Sequence, residues 1–354
     1  MSPVHSYSSS RSKIVLIGLT ALVLTVSFVS LNSGAIETGF GETLSAIGHL
    51  LGMNQDAGSD RLAMILSQIR LPRLLLGILA GGGLALSGAV MQALFRNPMA
   101  DPGLLGVSAG AAFGAVLTIV LGVSLLPGLL TLMGNWLLLL MAFGGSLVSL
   151  LLVYRLARIN NRTDIPTMLL AGVAMNAITG SLIGLLSYVA SDNELRDLIF
   201  WSLGSLEVTD WNKLIVASIV IAPACGAMLV YSGALNANLL GENEARHLGF
   251  DIEKVKTKLI ILVSLVVGVI VAMSGIIGFV GLVVPHLLRL VVGPDHRLLL
   301  PASALFGAAL LVLADIVART MVAPAEVPIG IITAVLGGPL FLWLLIRHKR
   351  RQII

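Results

Sequence analysis

The sequence predicts an all-α polytopic membrane protein, a helix bundle with about ten transmembrane helices per subunit. Hydrophobic residues make up 57% of the chain and charged residues only 11%, whereas about a quarter of a typical soluble domain is charged. A helix needs roughly 20 apolar residues to cross a bilayer, so a chain of this length has room for about ten spans. The 38 glycines favour helices that pack closely through small residues.

The first apolar run, residues 14–31, follows a polar and serine-rich stretch, residues 1–13, that ends with Arg11 and Lys13. The run is longer than the apolar part of a usual signal peptide, and no clear A-x-A cleavage site follows it. We therefore expect residues 1–13 to be a cytoplasmic tail and the run to be an uncleaved first span. The transmembrane domain is predicted over residues 14–346, with a cytoplasmic C-terminal tail at 347–354.

Nine further apolar runs, separated by short polar breaks, are predicted to be the other spans. Pro72 suits the first turn of the second span. Pro285 is expected to break the eighth span, which is shorter than the others. The nine runs cover residues 70–93, 104–121, 136–153, 167–189, 214–231, 259–273, 276–292, 298–317 and 327–346.

The distribution of basic residues supports this layout. Cytoplasmic loops carry an excess of Lys and Arg, and a cytoplasmic N-terminus puts most of the 22 basic residues on that side. Both termini are therefore predicted to be cytoplasmic, and the net charge of +4 reflects topology rather than affinity for nucleic acid. The second and seventh spans start on opposite sides, which leaves an inverted repeat open. The basic residues left outside are Arg61, Arg70, Arg73, Arg196, Lys213 and Arg319.

Several kinds of chemistry are excluded. The chain has no Gly-rich phosphate loop, HExxH or DxDxDG motif, and its one cysteine, Cys225, rules out an intramolecular disulfide and a CxxC metal site. We predict no catalytic residue, no metal site and no ATP hydrolysis by this chain. The glycine runs 81–83, 144–145 and 337–338 are expected to allow helix contact, not to hold phosphate.

Ionisable residues inside the predicted spans are few, which weighs against a proton or sodium relay. Asp315 and Arg319 are four residues apart near the outer end of the ninth span. They form either a local ion pair, with Arg319 reaching to the surface, or part of a transport path. A membrane-embedded enzyme would need a nucleophile with a base, or a metal, and the sequence offers neither.

The longest densely charged segment between apolar runs is residues 241–258, GENEARHLGFDIEKVKTK. It is expected to lie in water as two short helices, with acids in the first turn of the first helix and bases in its last turn. Gly249 suits the position after a helix end, and Asp251 suits an N-cap. Ala245 and Leu248 would form an apolar face that nothing in this segment covers. The segment is therefore either an ordinary solvated loop or a docking surface for a partner protein.

Polar groups flank both ends of the second span. Arg70 and Arg73 stand at its outer end, and with Arg319 they could bind carboxylates of a docking protein as rigid forks. Lipid headgroup anchoring is the alternative. At the inner end, Pro98 keeps the second and third spans apart, and Asn97 places an amide at the membrane edge. This break is either a plain turn or a cytoplasmic gate.

Four long strings closely resemble the permease subunits of ABC importers for iron chelates, heme and cobalamin, the FecCD-type family of type II importers. Together the resemblance covers all but about the first ten residues of the chain. The strings are ALSGAVMQALFRNPMADPGLLGVSAG at 85–110, GFVGLVVPHLLRL at 278–290, DHRLLLPASALFGAALLVLADIVAR at 295–319 and VPIGIITAVLGGPLFLWLL at 327–345.

The resemblance implies a homodimer of ten-helix subunits in the bacterial inner membrane. It also implies two cytoplasmic ATPase subunits that bind ATP and magnesium, so that this chain carries no cofactor, and a periplasmic substrate-binding protein. The coupling string GExxAxxLG of the family falls on Gly241, Glu242, Ala245, Leu248 and Gly249. The arginines that pair with the binding protein fall on Arg70, Arg73 and Arg319, and the cytoplasmic gate falls on Asn97, Pro98, Asp164 and Ile165.

The substrate predicted from the resemblance is heme, moved from the periplasm to the cytoplasm by alternating access. Residues 194–206, ELRDLIFWSLGSL, look most like heme permeases, and a ferric siderophore is the alternative. Asp164 and Ile165 replace the small hydroxyl residues expected of a cobalamin permease, which weighs against cobalamin. A secondary transporter that works without an ATPase is a more distant alternative. The candidate pathway residues are Met168, Met175 and Asn176, although Met at helical spacing is more often a packing residue.

Overall fold

The structure, a computed structural model, describes residues 9–34, 41–43, 45, 48, 60–159, 162–207 and 210–353. These residues form fifteen α-helices and one two-stranded hairpin, β1 (Arg158–Ile159) with β2 (Arg162–Thr163). The all-α prediction is confirmed. The helices are α1 (Ser9–Asn32), α2 (Asp60–Ile65), α3 (Leu71–Leu94), α4 (Val107–Leu125), α5 (Pro127–Met133), α6 (Asn135–Leu156), α7 (Ile165–Val189), α8 (Asp192–Ser202), α9 (Trp211–Val230), α10 (Ser232–Leu240), α11 (Glu242–His247), α12 (Ile252–Ser274), α13 (Val280–Val292), α14 (His296–Thr320) and α15 (Ile329–Ile353).

The described helices agree with about ten spans. Eight stretches are long and apolar enough to cross a membrane, and Val280–Val292 and Ile329–Trp343 are shorter apolar helices. The second span, Leu62–Leu94, is continuous because a π-helical turn, Leu66–Arg70, joins α2 to α3. The basic residues from 347 onward continue α15 rather than following its end. Lys and Arg are good helix formers, and cations suit the C-terminal end of a helix.

Helix α3 is the centre of the bundle. It is buried along nearly its whole length and packs against α9, α12, α13 and α14. Gly81 shows why this is possible, since a Cβ there would overlap the backbone carbonyl of Gly307 on α14. The glycine run at 81–83 therefore permits close helix contact, as predicted.

Helix α13 corrects one prediction. Pro285 does not break the eighth span, because the helix runs through it from Val280 to Val292. A proline lacks the N–H that would bond to the carbonyl four residues earlier, which here belongs to Gly281. That carbonyl lies against Gly88 of α3, so close that a Cβ at Gly88 would overlap it. The helix thus continues past Pro285 at a point where α13 and α3 are in close contact.

Two short helices lie in stretches that were predicted only as polar or as span ends. Helix α8 begins with a capping box, in which the Ser191 hydroxyl faces the Glu194 N–H and the Glu194 carboxylate accepts from the Ser191 N–H at 2.8 Å. Helix α10 leads into the charged segment and is tied to the inner end of α3, where Asn238 Nδ2 donates to the Ala93 carbonyl at 3.2 Å. This contact fixes where the charged segment starts.

The hairpin β1–β2 lies between α6 and α7. Its strands pair antiparallel, with Arg158 opposite Thr163, and the Asp164 N–H donates to the Ala157 carbonyl at 2.9 Å. The hairpin thereby holds the turn at 164–165, where α7 begins.

Candidate functional site

The charged segment contains one short helix, α11, and the first turns of a long one, α12. Helix α11 ends at His247, and Gly249 stands after this end as predicted. Its φ of 89° is a conformation that glycine adopts without strain. The Phe250 N–H donates to the Ala245 carbonyl at 3.1 Å and the Gly249 N–H to the Arg246 carbonyl at 2.9 Å, which is the Schellman pattern. Asp251 caps α12 by accepting from the Lys254 N–H at 3.2 Å.

The apolar face of α11 is divided between the interior and the surface. Ala245 is fully buried against Ala237 of α10 and Ile252 of α12. The prediction that nothing in the segment covers Ala245 is therefore wrong, because Ile252 of the same segment packs on it. Helix α10, which was not predicted, adds Ala237 from outside the segment. Leu248 is 60% exposed and Leu240 is also open, so an apolar surface for a partner remains at the ends of α11.

An ion cluster joins α11 to α12. The Lys256 Nζ lies 2.7 Å from Glu242 Oε1 and 3.2 Å from Glu253 Oε1, and the Lys256 side chain is only 4% exposed. Arg96, after the end of α3, stands 3.9 Å from the same oxygen of Glu242. The expectation that the whole charged segment lies in water is thus wrong at Lys256, which is buried because two carboxylates compensate its charge.

The cluster reaches the predicted gate turn through Glu253. Its second oxygen, Oε2, accepts from the Thr163 backbone N–H at 2.9 Å, and Thr163 directly precedes Asp164. The Asp164 carboxylate caps α7 by accepting from the Thr167 N–H at 3.0 Å. Hydrogen bonds from the Thr167 side chain and backbone lower the pKa of Asp164, and the charge of Lys256 acts in the same direction. The cap therefore remains charged at neutral pH and is lost only as the pH falls through that lowered pKa.

A cavity of about 820 Å³ at the predicted cytoplasmic end collects several of the predicted residues. It brings Glu242 of the predicted coupling string together with Asp164 and Ile165 of the predicted gate. Asn97 and Pro98 are not among its lining residues; the Asn97 side-chain oxygen instead accepts from the Met99 N–H at 2.9 Å within its own turn. The full lining is Phe95, Arg96, Arg162, Thr163, Asp164, Ile165, Pro166, Glu242, Glu253 and Lys256.

The three candidate pathway residues have different surroundings. Met168 is fully buried in the main core, so its side chain packs and does not line an open path in this conformation. Met175 is partly buried and packs against the same core, beside Gly106. The Asn176 Nδ2 lies 3.5 Å from the Gly103 carbonyl, and its Oδ1 is buried with no hydrogen-bond partner among the described residues.

At the predicted outer end of the bundle, Arg73 is held between two carboxylates. Its guanidinium lies 2.8 Å from Asp315 of α14 and 2.8 Å from Glu326, in the segment between α14 and α15. Arg319 is 3.3 Å from Asp315, so the predicted ion pair of Asp315 and Arg319 exists. Arg319 does not reach the surface, however, because its side chain is 6% exposed.

The outer arginines bind groups of this chain rather than pointing outward. Arg70 donates to the Leu31 carbonyl. Arg319 donates to the carbonyls of Ser30 and Ser33, each at 2.8 Å. All three predicted docking arginines are buried, and Arg70 and Arg319 fasten the end of α1 to the bundle.

Sequence reasoning missed Lys256, Glu253 and Thr163 as parts of the inner site. A signal for Lys256 was present, because it follows Ile252 by four residues and therefore lies on the same buried face of α12. No comparable signal marks Thr163, which contributes only its backbone N–H. Its role depends on a contact with a residue 90 positions away.

Comparisons with known proteins agree with this architecture. The chain is 43% identical over 334 residues to the hemin transport system permease protein HmuU of Yersinia pestis, covering 94% of this chain and 96% of that protein. It is also 43% identical over 335 residues to the vitamin B12 import system permease protein BtuC of Salmonella typhi, covering 95% of each.

A solved structure is similar along nearly the whole chain. It is an inward-facing conformation of a metal-chelate type ABC transporter, matched with a TM-score of 0.81 and 33% identity over 95% of this chain and 99% of that one. The description of the FecCD transport family matches residues 22–347. With its helical bundle, its match to the family along residues 22–347 and relatives that are import permeases, the chain belongs to the FecCD transport family as the permease subunit of an ABC importer.

Proposed function

We propose that this permease imports heme as a homodimer in the bacterial inner membrane. Two separate ATPase subunits dock on α11, and a periplasmic binding protein delivers the substrate on the other side. The observation that carries the coupling role is the path of short contacts from Glu242 on α11 through Lys256 and Glu253 to Thr163, next to the gate turn at 164–165. Both termini lie in the cytoplasm in this arrangement.

The dimer places the gate turns of two subunits near a common axis. Helix α7 begins at the gate turn and packs on α4 and α6 through one face. Its other face is open and carries Leu170, Val173 and Ile178 among other apolar residues. Two copies that meet at this face would bring both turns together at the cytoplasmic end. Closure of the ATPase pair can then open or shut the turns, provided that α11 binds its two states with different affinity.

The choice of heme rests on residues 194–206 and on the gate. The described part of that stretch forms α8 and the turn after it, at the predicted outer face. A hemin permease and a vitamin B12 permease are equally similar in identity. The acidic cap at Asp164, in place of a small hydroxyl residue, favours heme over cobalamin.

Transport by the purified complex tests this proposal. The permease would be reconstituted in liposomes with its ATPase subunits, and the binding protein would be added empty or loaded with heme, a ferric siderophore or cobalamin. We expect ATP-dependent uptake of heme alone. Uptake of a siderophore or cobalamin instead would support the proposed ABC importer but contradict heme as its substrate. Uptake that follows an ion gradient without ATP would contradict the proposed coupling.

Docking of the binding protein on Arg70, Arg73 and Arg319 requires an exchange of partners. Each guanidinium would have to leave a carboxylate or carbonyl of this chain for a carboxylate of the binding protein. Glu326 is the most accessible of these internal partners, with a side chain 31% exposed. Its replacement, Glu326→Gln, weakens the hold on Arg73 and is expected to raise the affinity for the binding protein severalfold.

The affinity of the binding protein for the permease in nanodiscs is the quantity that checks this expectation. Glu207→Gln serves as the control, because it removes the same negative charge from the cavity that Arg73 and Glu326 also line. An affinity that is unchanged in Glu326→Gln, or equally changed in Glu207→Gln, would restrict Arg73 to a structural role.

A further inference from the structure

We propose that Lys256 is the positioning residue through which movement of α11 reaches the gate turn at 164–165. The inference rests on the proposed docking of the ATPase subunits at α11 and names the side chain that transmits the movement. Lys256 is the shared cation of a carboxylate on α11 and a carboxylate on α12, and the second of these carboxylates holds the hairpin that precedes the gate.

Lys256, which stands on α12, can have this role because its two carboxylate partners belong to different helices. Glu242 stands in the first turn of α11 and Glu253 in the first turn of α12. Glu253 uses one oxygen for Lys256 and the other for the Thr163 N–H. A shift of Glu242 therefore acts on the hairpin through one ammonium group and one carboxylate.

The other contacts of α11 do not lead to the gate turn. Ala245 packs on Ala237 and Ile252, which anchors α11 to α10 and to the start of α12. The Tyr154 hydroxyl lies 2.9 Å from the Thr257 hydroxyl, which joins α12 to α6 but involves no residue of α11. Within the described residues, the ion cluster is the polar path from α11 to the hairpin.

Glu242 also has a second cation within reach. Arg96 lies 3.9 Å away, is half exposed and directly precedes the other predicted gate residues, Asn97 and Pro98. Both cations face the same oxygen of Glu242 in this structure, so a displacement of α11 would shorten one contact and lengthen the other. The contact with Lys256 leads to one predicted gate turn and the contact with Arg96 to the other, which gives coupling two arrangements to choose between.

A buried ion pair that served stability alone would behave differently. Removing one partner from such a cluster lowers stability, but a transporter that stays folded would still move as much substrate per ATP as before. We therefore distinguish coupling from stability with Lys256→Met, which keeps the length of the side chain and removes its charge, and we read coupling as uptake per ATP hydrolysed by the folded complex. Lys258→Met is the matched control, because Lys258 lies two residues further along α12 with an exposed side chain.

The experiment uses the complete complex of permease, ATPase subunits and binding protein in liposomes. For Lys256→Met we expect uptake per ATP hydrolysed by the folded complex to fall by about tenfold, a typical coupling factor, while ATPase-subunit affinity stays close to the original. Thermal unfolding is expected at a lower temperature, because Glu242 and Glu253 lose their buried cation. Lys256→Arg, which retains the charge, should recover most of the uptake. Lys258→Met should change neither quantity.

A direct readout of the gate separates this inference from the function on which it rests. A cysteine at Ile165, introduced with Cys225→Ser, would be labelled by a membrane-impermeant maleimide from the cytoplasmic side with and without ATP and vanadate. We expect labelling to depend on nucleotide in the otherwise unchanged complex and to lose that dependence with Lys256→Met.

Each outcome has one meaning. If labelling in the otherwise unchanged complex ignores nucleotide, the proposed coupling at this gate fails. If the unchanged complex responds and Lys256→Met responds equally with full uptake per ATP, the role of Lys256 is overturned. Should Lys256→Met not fold, Glu253→Gln replaces it. The amide oxygen can still accept from the Thr163 N–H, and Lys256 keeps Glu242, but the ion pair that joins Lys256 to residue 253 is gone; retained coupling there would also overturn the inference.

Discussion

Glu242→Arg is expected to abolish ATP-driven uptake while the permease still inserts in the membrane and dimerises. The substitution puts a third cation beside Lys256 and Arg96, which now share the Glu242 carboxylate. Without the carboxylate, α11 loses its ion pair with Lys256 and therefore its path to the hairpin. Uptake measured with loaded binding protein in liposomes should therefore fall to the level seen without ATP.

Graded variants show whether the charge of Glu242 is responsible. Glu242→Gln keeps the shape of the side chain and should lose less uptake than Glu242→Arg. Size-exclusion chromatography and thermal unfolding of the same preparations establish that the permease is assembled. Normal uptake by an assembled Glu242→Arg permease would remove α11 from the coupling path.

Gly145→Leu is expected to prevent assembly of the helix bundle. Gly145 of α6 crosses α4 at Gly110 so closely that an added Cβ would overlap the Gly110 carbonyl oxygen. A backbone atom cannot turn aside as the end of a side chain can, so α4 and α6 would have to separate. Overpacking of this kind costs on the order of 3 kcal/mol, and we expect little or no folded permease in a thermal unfolding assay.

The neighbouring glycine offers a matched control. A Cβ at Gly144 would have no heavy atom within 4 Å in this subunit, so Gly144→Leu should accumulate and unfold near the original temperature. Equal stability of the two leucine variants would mean that α4 and α6 do not cross at Gly110 and Gly145.

Composition and pattern were sufficient for most of the fold. Spans of about 20 apolar residues are a local property of the chain, and the observed helices fall on nearly all the predicted runs. Local capping signals were also sufficient at Gly249 and Asp251, since a helix end depends on a few adjacent residues. The course of α13 was not predictable in this way. Whether Pro285 breaks a helix depends on what packs around it, here Gly88 of a distant helix.

The inner site was predicted only in part for the same reason. The string around Glu242 was found from the sequence because its residues are adjacent and match a family pattern. Lys256 and Glu253 were read as solvated charges because the sequence does not show that they face Glu242. The outer arginines illustrate the converse: their charges suggested a free surface, and the fold supplies Asp315 and Glu326 as partners for Arg73.

The sequence by itself determined that this protein is a helical membrane permease and where its membrane-spanning helices lie, and it predicted which short string couples to the ATPase. Apolar stretches, helix caps and family motifs each depend on residues that lie within a few tens of positions of one another. Only the tertiary structure decided which charges are buried together. The partners of Lys256 and Arg73 come from separate helices, and the energy of a charge depends on what surrounds it in space rather than on its neighbours along the chain.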